Sequence, residues 1–316
     1  MAPALERMTS MPSVSHSEVD SYLLCRRKHY YGYGLSLERV STSHSLATGT
    51  AGHRILEAFY GHLLDLAATP QAQLERFDLG IEKAKKEYDA IVQEGYEDAP
   101  NRASLYEIFF NEDWGYFANE FLVRKGWTVL AVEEEFSLVY DEENGSSYPF
   151  VVDMIVRDPE GNFVVIDHKF VYDFYTPEQT DLQPQIPKYI GALRAMNYEI
   201  SYGAYNMVRT RKLKTPDSSS MNYFMILKPN TDRVLNTFME QLGVAAEIQA
   251  LKELSIEEQS NRAYRTANKM VCQSCSFRDV CSTELMGGNT ELMIKTEYKI
   301  RERRVIGATN DKETNE

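Results

Sequence analysis

The chain has 316 residues, 43% of them hydrophobic and 11% aromatic. That is enough apolar material for one large domain, or one domain with a helical elaboration, and it excludes wholesale disorder. The balance of 34 basic and 47 acidic residues gives a net charge of −13, which limits non-specific attraction to nucleic acid. No apolar run is long enough to cross a bilayer, and Met1–Ser17 lacks a basic stretch followed by an apolar one, so a cytoplasmic protein without membrane contact is expected.

The charge is unevenly spread. Residues 70–120 hold twelve acids and five bases, and residues 131–148 hold six acids and no base, so the remainder is neutral. Within it lie Arg26-Arg27-Lys28, the run Arg209, Arg211, Lys212 and Lys214, and the group Arg301 to Arg304. Each is compatible with a solvated surface, and also with a local groove for DNA.

In chain order, residues 1–14 are rich in Pro, Ser and Met and are expected to be disordered. Ser15 to Ser17 open a capped helix that runs through Tyr22 and Leu24 to about Tyr31, where Gly32 and Gly34 end it. A second helix is expected over Ser45–Leu66, with Ile55, Leu56, Phe59 and Leu63 among its apolar positions. Two acidic helices, about 71–94 and 104–124, form a helical insertion spanning about 70–125. The apolar period then shortens to two over Thr128–Tyr140, Tyr148–Arg157 and Asn162–Phe170, which read as strands joined by turns at Asp141–Gly145 and Asp158–Gly161. A helix from about Pro177 to Asn197, strands over Tyr202–Arg209 and Asn222–Leu227, and a helix over Thr231–Leu254 follow. A cysteine-bearing segment, 262–285, and a charged tail, 286–316, complete the chain. The pattern predicts one α/β domain over 15–285, with a mixed sheet in a core of about 127–230.

Two of those strands carry an acid where the pattern calls for a hydrophobe: Asp153 in Phe150-Val-Val-Asp153-Met-Ile-Val, and Asp167 in Phe163-Val-Val-Ile-Asp167. Burying an unpaired carboxylate is costly, and a hard divalent cation shared by both would explain them. Lys169 lies two residues after Asp167 and so shares its face. Two carboxylates that hold Mg²⁺ or Mn²⁺, with a lysine to orient the nucleophile or stabilise phosphorane charge, are what phosphodiester hydrolysis needs. A surface hairpin with ordinary acids is the plain alternative.

The four cysteines are Cys25, Cys272, Cys275 and Cys281. Three closely spaced thiols with a distant fourth favour a soft metal centre, and four thiolates suit tetrahedral Zn²⁺ or a cubane cluster equally well.

Around the two acids stand Gly49-Thr-Ala-Gly52-His53-Arg-Ile-Leu-Glu57 upstream and Gln185-Ile-Pro-Lys-Tyr189 downstream, with Asp167-His168-Lys169 between them. The ordered set resembles the PD-(D/E)xK nuclease superfamily. Within it, the set is similar to the RecB-like exonucleases with an iron–sulphur cluster, the group of the CRISPR-associated exonucleases and the AddB nuclease domain. The resemblance implies a restriction-endonuclease-like core with a helical N-terminal part. It implies Asp153, Asp167 and Lys169 as catalytic residues and His53 as a metal ligand, and His168 is counted with the metal site. Gln185 and Tyr189 would contact the DNA backbone, and Glu57, on the His53 face of its helix, would orient the imidazole. Cys25 with Cys272, Cys275 and Cys281 would hold a structural 4Fe–4S cluster, a staple between the chain ends, with zinc as the alternative. The chain departs from the pattern in having Phe150-Val-Val before Asp153, where a glycine is frequent, and in carrying Pro184 and Pro187 around Gln185.

The expected activity is a Mg²⁺- or Mn²⁺-dependent DNA exonuclease, with possible endonuclease action, on single strands or free ends. A homo-oligomer or a recombination partner is compatible with it. The competing reading is a catalytically inactive, cluster-stabilised DNA-binding subunit of a recombination or CRISPR-adaptation complex. A zinc-stabilised interaction module is a third, and it leaves the strand carboxylates unexplained. No phosphate-binding G-x₄-G-K-[ST] loop is present, which argues against an ATPase.

Overall fold

The computed structural model describes residues 13–41, 43–64 and 69–301. Its helices are α1 (His16–Leu24), α2 (Arg26–His29), α3 (His44–Leu63), α4 (Pro70–Glu75), α5 (Phe77–Gln93), α6 (Leu105–Phe110), α7 (Pro177–Asp181), α8 (Gln185–Ala195), α9 (Ser218–Met221), α10 (Thr231–Lys252), α11 (Ile256–Arg262), α12 (Lys269–Gln273), α13 (Arg278–Leu285) and α14 (Thr290–Glu297). The strands are β1 (Leu37–Arg39), β2 (Thr128–Asp141), β3 (Ser146–Arg157), β4 (Phe163–Val171), β5 (Ile200–Arg209), β6 (Asn222–Leu227) and β7 (Tyr298–Ile300). Five of them form a mixed sheet in the order β2-β3-β4-β5-β6, the α/β architecture expected from the pattern. The β3–β4 and β5–β6 pairs are antiparallel, whereas β4 and β5 run parallel through the crossover that contains α8. No helix among the described residues is long and apolar enough to cross a membrane.

The described residues divide into two compact units: those within 43–134 and 151–238, and those within 13–41, 135–150 and 239–301. The first holds the main core, in which Ile55, Leu56, Phe59 and Leu63 of α3 pack with Ile108, Phe109, Met154, Val164, Ile166 and Ala204. In the second, β1 pairs antiparallel with β7, and Tyr31, Leu37, Phe277, Val280 and Tyr298 form a small core of their own.

Several elements differ from expectation for local reasons. Residues 1–12 lie outside the described residues, but Val14 is fully buried and donates its N–H to Ser147 O, so the expected disorder does not extend to the end of that segment. The first helix breaks at Cys25, whose extended backbone (φ −167°, ψ 116°) ends α1 and starts α2. The expected helix at 104–124 stops at Phe110. Asn111 Oδ1 accepts the N–H groups of Asp113 and Trp114 at 3.0 and 3.1 Å, a local turn that competes with the helix. The expected helix at 177–197 is two helices, since the ring of Pro184 cannot continue α7 and instead stands just before α8. The tail from 286 contains α14 and β7, and residues 302–316 lie outside the described residues.

Gly52 decides how α3 meets the sheet. A Cβ there would lie 2.3 Å from the Phe170 ring on β4, so only a glycine lets the helix sit this close. Gly61, about two and a half turns later, faces open space. Alanine gains about 1 kcal/mol of helix propensity at either site, but forced overlap in a packed core costs about 1–3 kcal/mol. Thermal melts should therefore show Gly61→Ala raising Tm and Gly52→Ala lowering it. An equal rise in both would contradict the close packing.

Candidate active site

The β3–β4 register, Met154 opposite Ile166 and Val156 opposite Val164, would next set Asp153 opposite Asp167, but the pairing stops there. At that point Asp153 Oδ2 accepts the His168 backbone N–H at 2.7 Å, so a carboxylate takes the place of the missing ladder partner. The strands part at the two acids without orphaning that N–H.

Alternation along β4 divides its central motif between two faces. Asp167 and Lys169 point toward α8. Lys169 Nζ stands 2.7 Å from Asp167 Oδ2 and donates to Gln185 Oε1 at 2.7 Å, and Gln185 Nε2 donates to Tyr189 OH at 3.1 Å. Both residues of Q-x₃-Y therefore join the line that starts at Asp167. Pro184 and Pro187 sit at the start of α8, where missing N–H groups cost the helix nothing.

His168 and Phe170 point toward α3. His168 is buried and stacked on Tyr60, with ring centroids 5.8 Å apart, and its Nδ1 accepts from Asn206 Nδ2 at 2.9 Å. Asn206 also reaches Tyr116 OH at 2.6 Å, Tyr116 OH meets Tyr60 OH at 2.7 Å, and Tyr60 OH donates to Glu120 Oε1 at 3.1 Å. Burial, with help from His53 and Lys169, holds His168 well below the usual histidine range. It is therefore a neutral ring whose Nδ1 is engaged by Asn206, and it stands outside the group of side chains whose ligand atoms converge. Burial likewise pushes Glu120 up to about 7.

The group suited to a metal is His53, Glu133 and Asp153, whose ligand atoms all lie within 4.8 Å of one another. His53 Nδ1 is 3.2 Å from Glu133 Oε1 and 3.6 Å from Asp153 Oδ2. The donor set fits a hard divalent cation. It offers an imidazole and two carboxylates, and nearby the buried Asp167 Oδ2 has no aligned hydrogen-bond donor even though the Lys169 ammonium is in ionic contact. Glu133 was not among the residues singled out from sequence. It is one of three consecutive glutamates in β2, and what sets it apart is a left-handed backbone, φ +46°, that breaks the strand's alternation. A non-glycine residue held there costs about 1–3 kcal/mol, and such strain gathers at functional sites. Glu57 is exposed, and the carboxylate on His53 Nδ1 is Glu133.

The electrostatics follow from three acids in a partly buried space. Burial and the Asp167 charge push Asp153 up to about 7. Burial opposes protonation of His53, but its hydrogen bond to Glu133 and the fields of Asp153, Glu133 and Asp167 outweigh it and raise its pKa. Burial likewise disfavours the Lys169 ammonium, and Asp167 more than restores it, so Lys169 stays charged at neutral pH.

The cysteines lie in the other unit. Burial pushes the Cys25 thiol up, but the N–H groups of Thr266, Lys28 and Arg27 and the Thr266 hydroxyl outweigh it, and its pKa is lowered. Burial raises Cys275, and the nearby Cys25 and Cys281 raise it further. Cys281 Sγ accepts from Arg265 Nε at 3.3 Å, and Cys272 is exposed. Among the described residues no three of these sulphurs lie within 4.8 Å of one another. The segments that carry them are joined by ordinary bonds as well. Arg27 N donates to Tyr264 O at 3.1 Å, Thr266 Oγ1 to Leu24 O at 2.7 Å, and Tyr31 OH to Glu284 at 2.8 Å.

The pH dependence has a definite sign. A carboxylate whose folded pKa is raised contributes stability below its unfolded value, about 4, and loses it as pH rises through about 7. Divalent binding needs Asp153 ionised and His53 neutral, so it strengthens over the same rise. The gain in Tm on adding Mn²⁺ should be larger at pH 8 than at pH 6, with protons released on binding at pH 6. Equal gains at both pH values would contradict this electrostatic picture.

The PD-(D/E)XK nuclease superfamily profile matches residues 13–282 of this chain. No curated protein matches. Among solved structures the chain is similar to "Crystal structure of SSO0001", with 11% identity, a TM-score of 0.34, and coverage of 87% of this chain and 88% of that one, a likeness too remote to bear on activity. The profile spans most of the chain and includes His53, Glu133, Asp153, Asp167 and Lys169, and the sheet is the five-strand mixed sheet of a restriction-endonuclease-like core. The chain belongs to the PD-(D/E)XK nuclease superfamily, whose members are nucleases that use divalent metals.

Proposed function

We propose that the protein is a Mg²⁺- or Mn²⁺-dependent DNA exonuclease acting on single strands or free ends. The observation that carries this reading is the convergence of His53, Glu133 and Asp153 within 4.8 Å beside Asp167 and Lys169. Those three, with Asp167, would hold the cation, which when bound polarises the phosphate and makes water a stronger nucleophile. Lys169 is an ammonium and therefore no general base. It places positive charge and a donated hydrogen bond where the phosphate gains charge. Gln185 fixes the lysine from the far side, and Tyr189 fixes Gln185. In this reading His168 positions Asp153 through its backbone N–H, and the buried Asn206–Tyr116–Tyr60 network holds His168.

The four cysteines are proposed to hold a structural 4Fe–4S cluster. The residues present suit it: the charges of Cys25 and Cys281 both act on Cys275, Arg265 donates to Cys281, and Lys28 lies near Cys275. Such a cluster would add a covalent tie between segments that already pack together, restricting the unfolded chain. A cytoplasmic location and a possible oligomeric or recombination partner complete the reading.

Incubation with end-labelled single-stranded DNA and Mn²⁺ or Mg²⁺ should release short products, with a loss of at least about a hundredfold in rate for Asp167→Ala and Lys169→Ala. Cleavage retained in both variants would sink the assignment. Anaerobically purified protein should be brown and contain iron, and Cys275→Ser should lose the colour and melt at a lower temperature. A colourless, zinc-containing protein would remove the cluster.

A further inference from the structure

We propose that Tyr172, flanked by Arg102 and Arg211, is a stacking site for an unpaired base of the strand whose phosphate reaches the metal site. The proposal rests on the nuclease reading and deepens it, because it assigns the preference for single-stranded DNA to one face of the fold.

Strand β4 carries Asp167 and Lys169 and ends at Val171, and Tyr172 is the next residue, 47% exposed. A half-exposed tyrosine alone means little. The company it keeps is unusual. Arg102 and Arg211 are distant in sequence but face each other across an isolated antiparallel bridge. Their guanidinium carbons lie 5.6 and 5.7 Å from the centre of the Tyr172 ring. Arg102 is anchored by Thr210 Oγ1 and, at 2.8 Å, by Ser45 Oγ, and Arg211 lies 2.9 Å from Asp173. Arg209 sits 4.2 Å over Phe174 and 3.8 Å from the same Asp173. Two guanidiniums, Arg209 and Arg211, thus share one carboxylate, Arg102 meets no acid among the described residues, and the exposed Lys212 and Lys214 follow.

A chain of net charge −13 has placed this excess of cations around one exposed ring, Tyr172, and a half-buried one, Phe174. Cations for phosphates and rings for base faces are the composition that binds single strands. Tyr172 lies two residues beyond Phe170, whose ring is 5.6 Å from that of His53, so alternation puts it on the α3 side of β4, where His53 of the metal site stands. Inside a duplex both faces of each base lie in the stack, so an internal base pair cannot lie against this ring, whereas an unpaired base can. The basic run Arg209 to Lys214 thereby acquires a use that the metal site does not give it.

The test is binding in EDTA, by fluorescence anisotropy, of labelled oligothymidylate of about 12 nucleotides and of an abasic strand of equal length. The wild type should bind oligothymidylate about tenfold more tightly than the abasic strand. Tyr172→Ala should erase that preference and Tyr172→Phe should keep it. Arg211→Ala should weaken both strands alike and reduce the salt dependence. Equal wild-type affinity for the two strands, or an undiminished preference in Tyr172→Ala, overturns the proposal. Cleavage of the same oligothymidylate by wild type with Mn²⁺ judges the nuclease reading separately. No cleavage alongside an intact base preference would remove that reading and leave the stacking site standing.

Discussion

Where β3 and β4 stop pairing, the His168 N–H goes to the Asp153 side chain instead of to a main-chain carbonyl, at 2.7 Å. The arrangement of the site depends on that substitution. An antiparallel pair that simply continued would keep both acids locked in a flat ladder, and one that simply opened would leave a buried N–H without a partner. By accepting the bond, Asp153 lets the strands part and stays fixed as it does so. The parting gives His53 of α3 and Glu133 of β2 access to the same carboxylate, and Gly52 lets α3 approach closely enough for His53 to use it.

The same stretch of β4 does two jobs because it has two faces. On one, Asp167 and Lys169 meet Gln185 and, through it, Tyr189. On the other, His168 is clasped by Asn206 and stacked on Tyr60, and Phe170 fills the space beside Gly52. The polar network behind His168 is buried and reaches Glu120, which burial pushes toward neutrality. A strand pinned this firmly on its far face can hold Asp167 close to Asp153, where the mutual repulsion of the two carboxylates would otherwise move them.

The unit that carries the cysteines follows a separate logic. Its first helix breaks at Cys25, and the break turns the sulphur toward N–H groups of the following turn and of Thr266. Packing of Tyr31 against Phe277 and the contacts of Arg27, Tyr31 and Thr266 already join early and late parts of the chain. A metal centre there would reinforce an existing junction between these segments.

By itself the sequence determined the α/β class, the strands and the pair of acids with their lysine. Period-two patterning is a local property, and an acid inside a Val/Ile run stands out against it. It also marked His53 and the Gln185–Tyr189 pair by order and spacing. It could not decide which of Glu133, Glu134 and Glu135 turns inward, because that depends on one left-handed residue imposed by the surrounding packing. Nor could it tell that His168, one position from each acid-face residue, would be taken up by Asn206 from a strand 38 residues further along. The end of the helix at Asn111 and the meeting of Arg102 with Arg211 at Tyr172 were hidden for the same reason. Composition and period fix what each segment can be. Which side chains meet is settled only when distant segments compete for the same space and the same hydrogen-bonding partners.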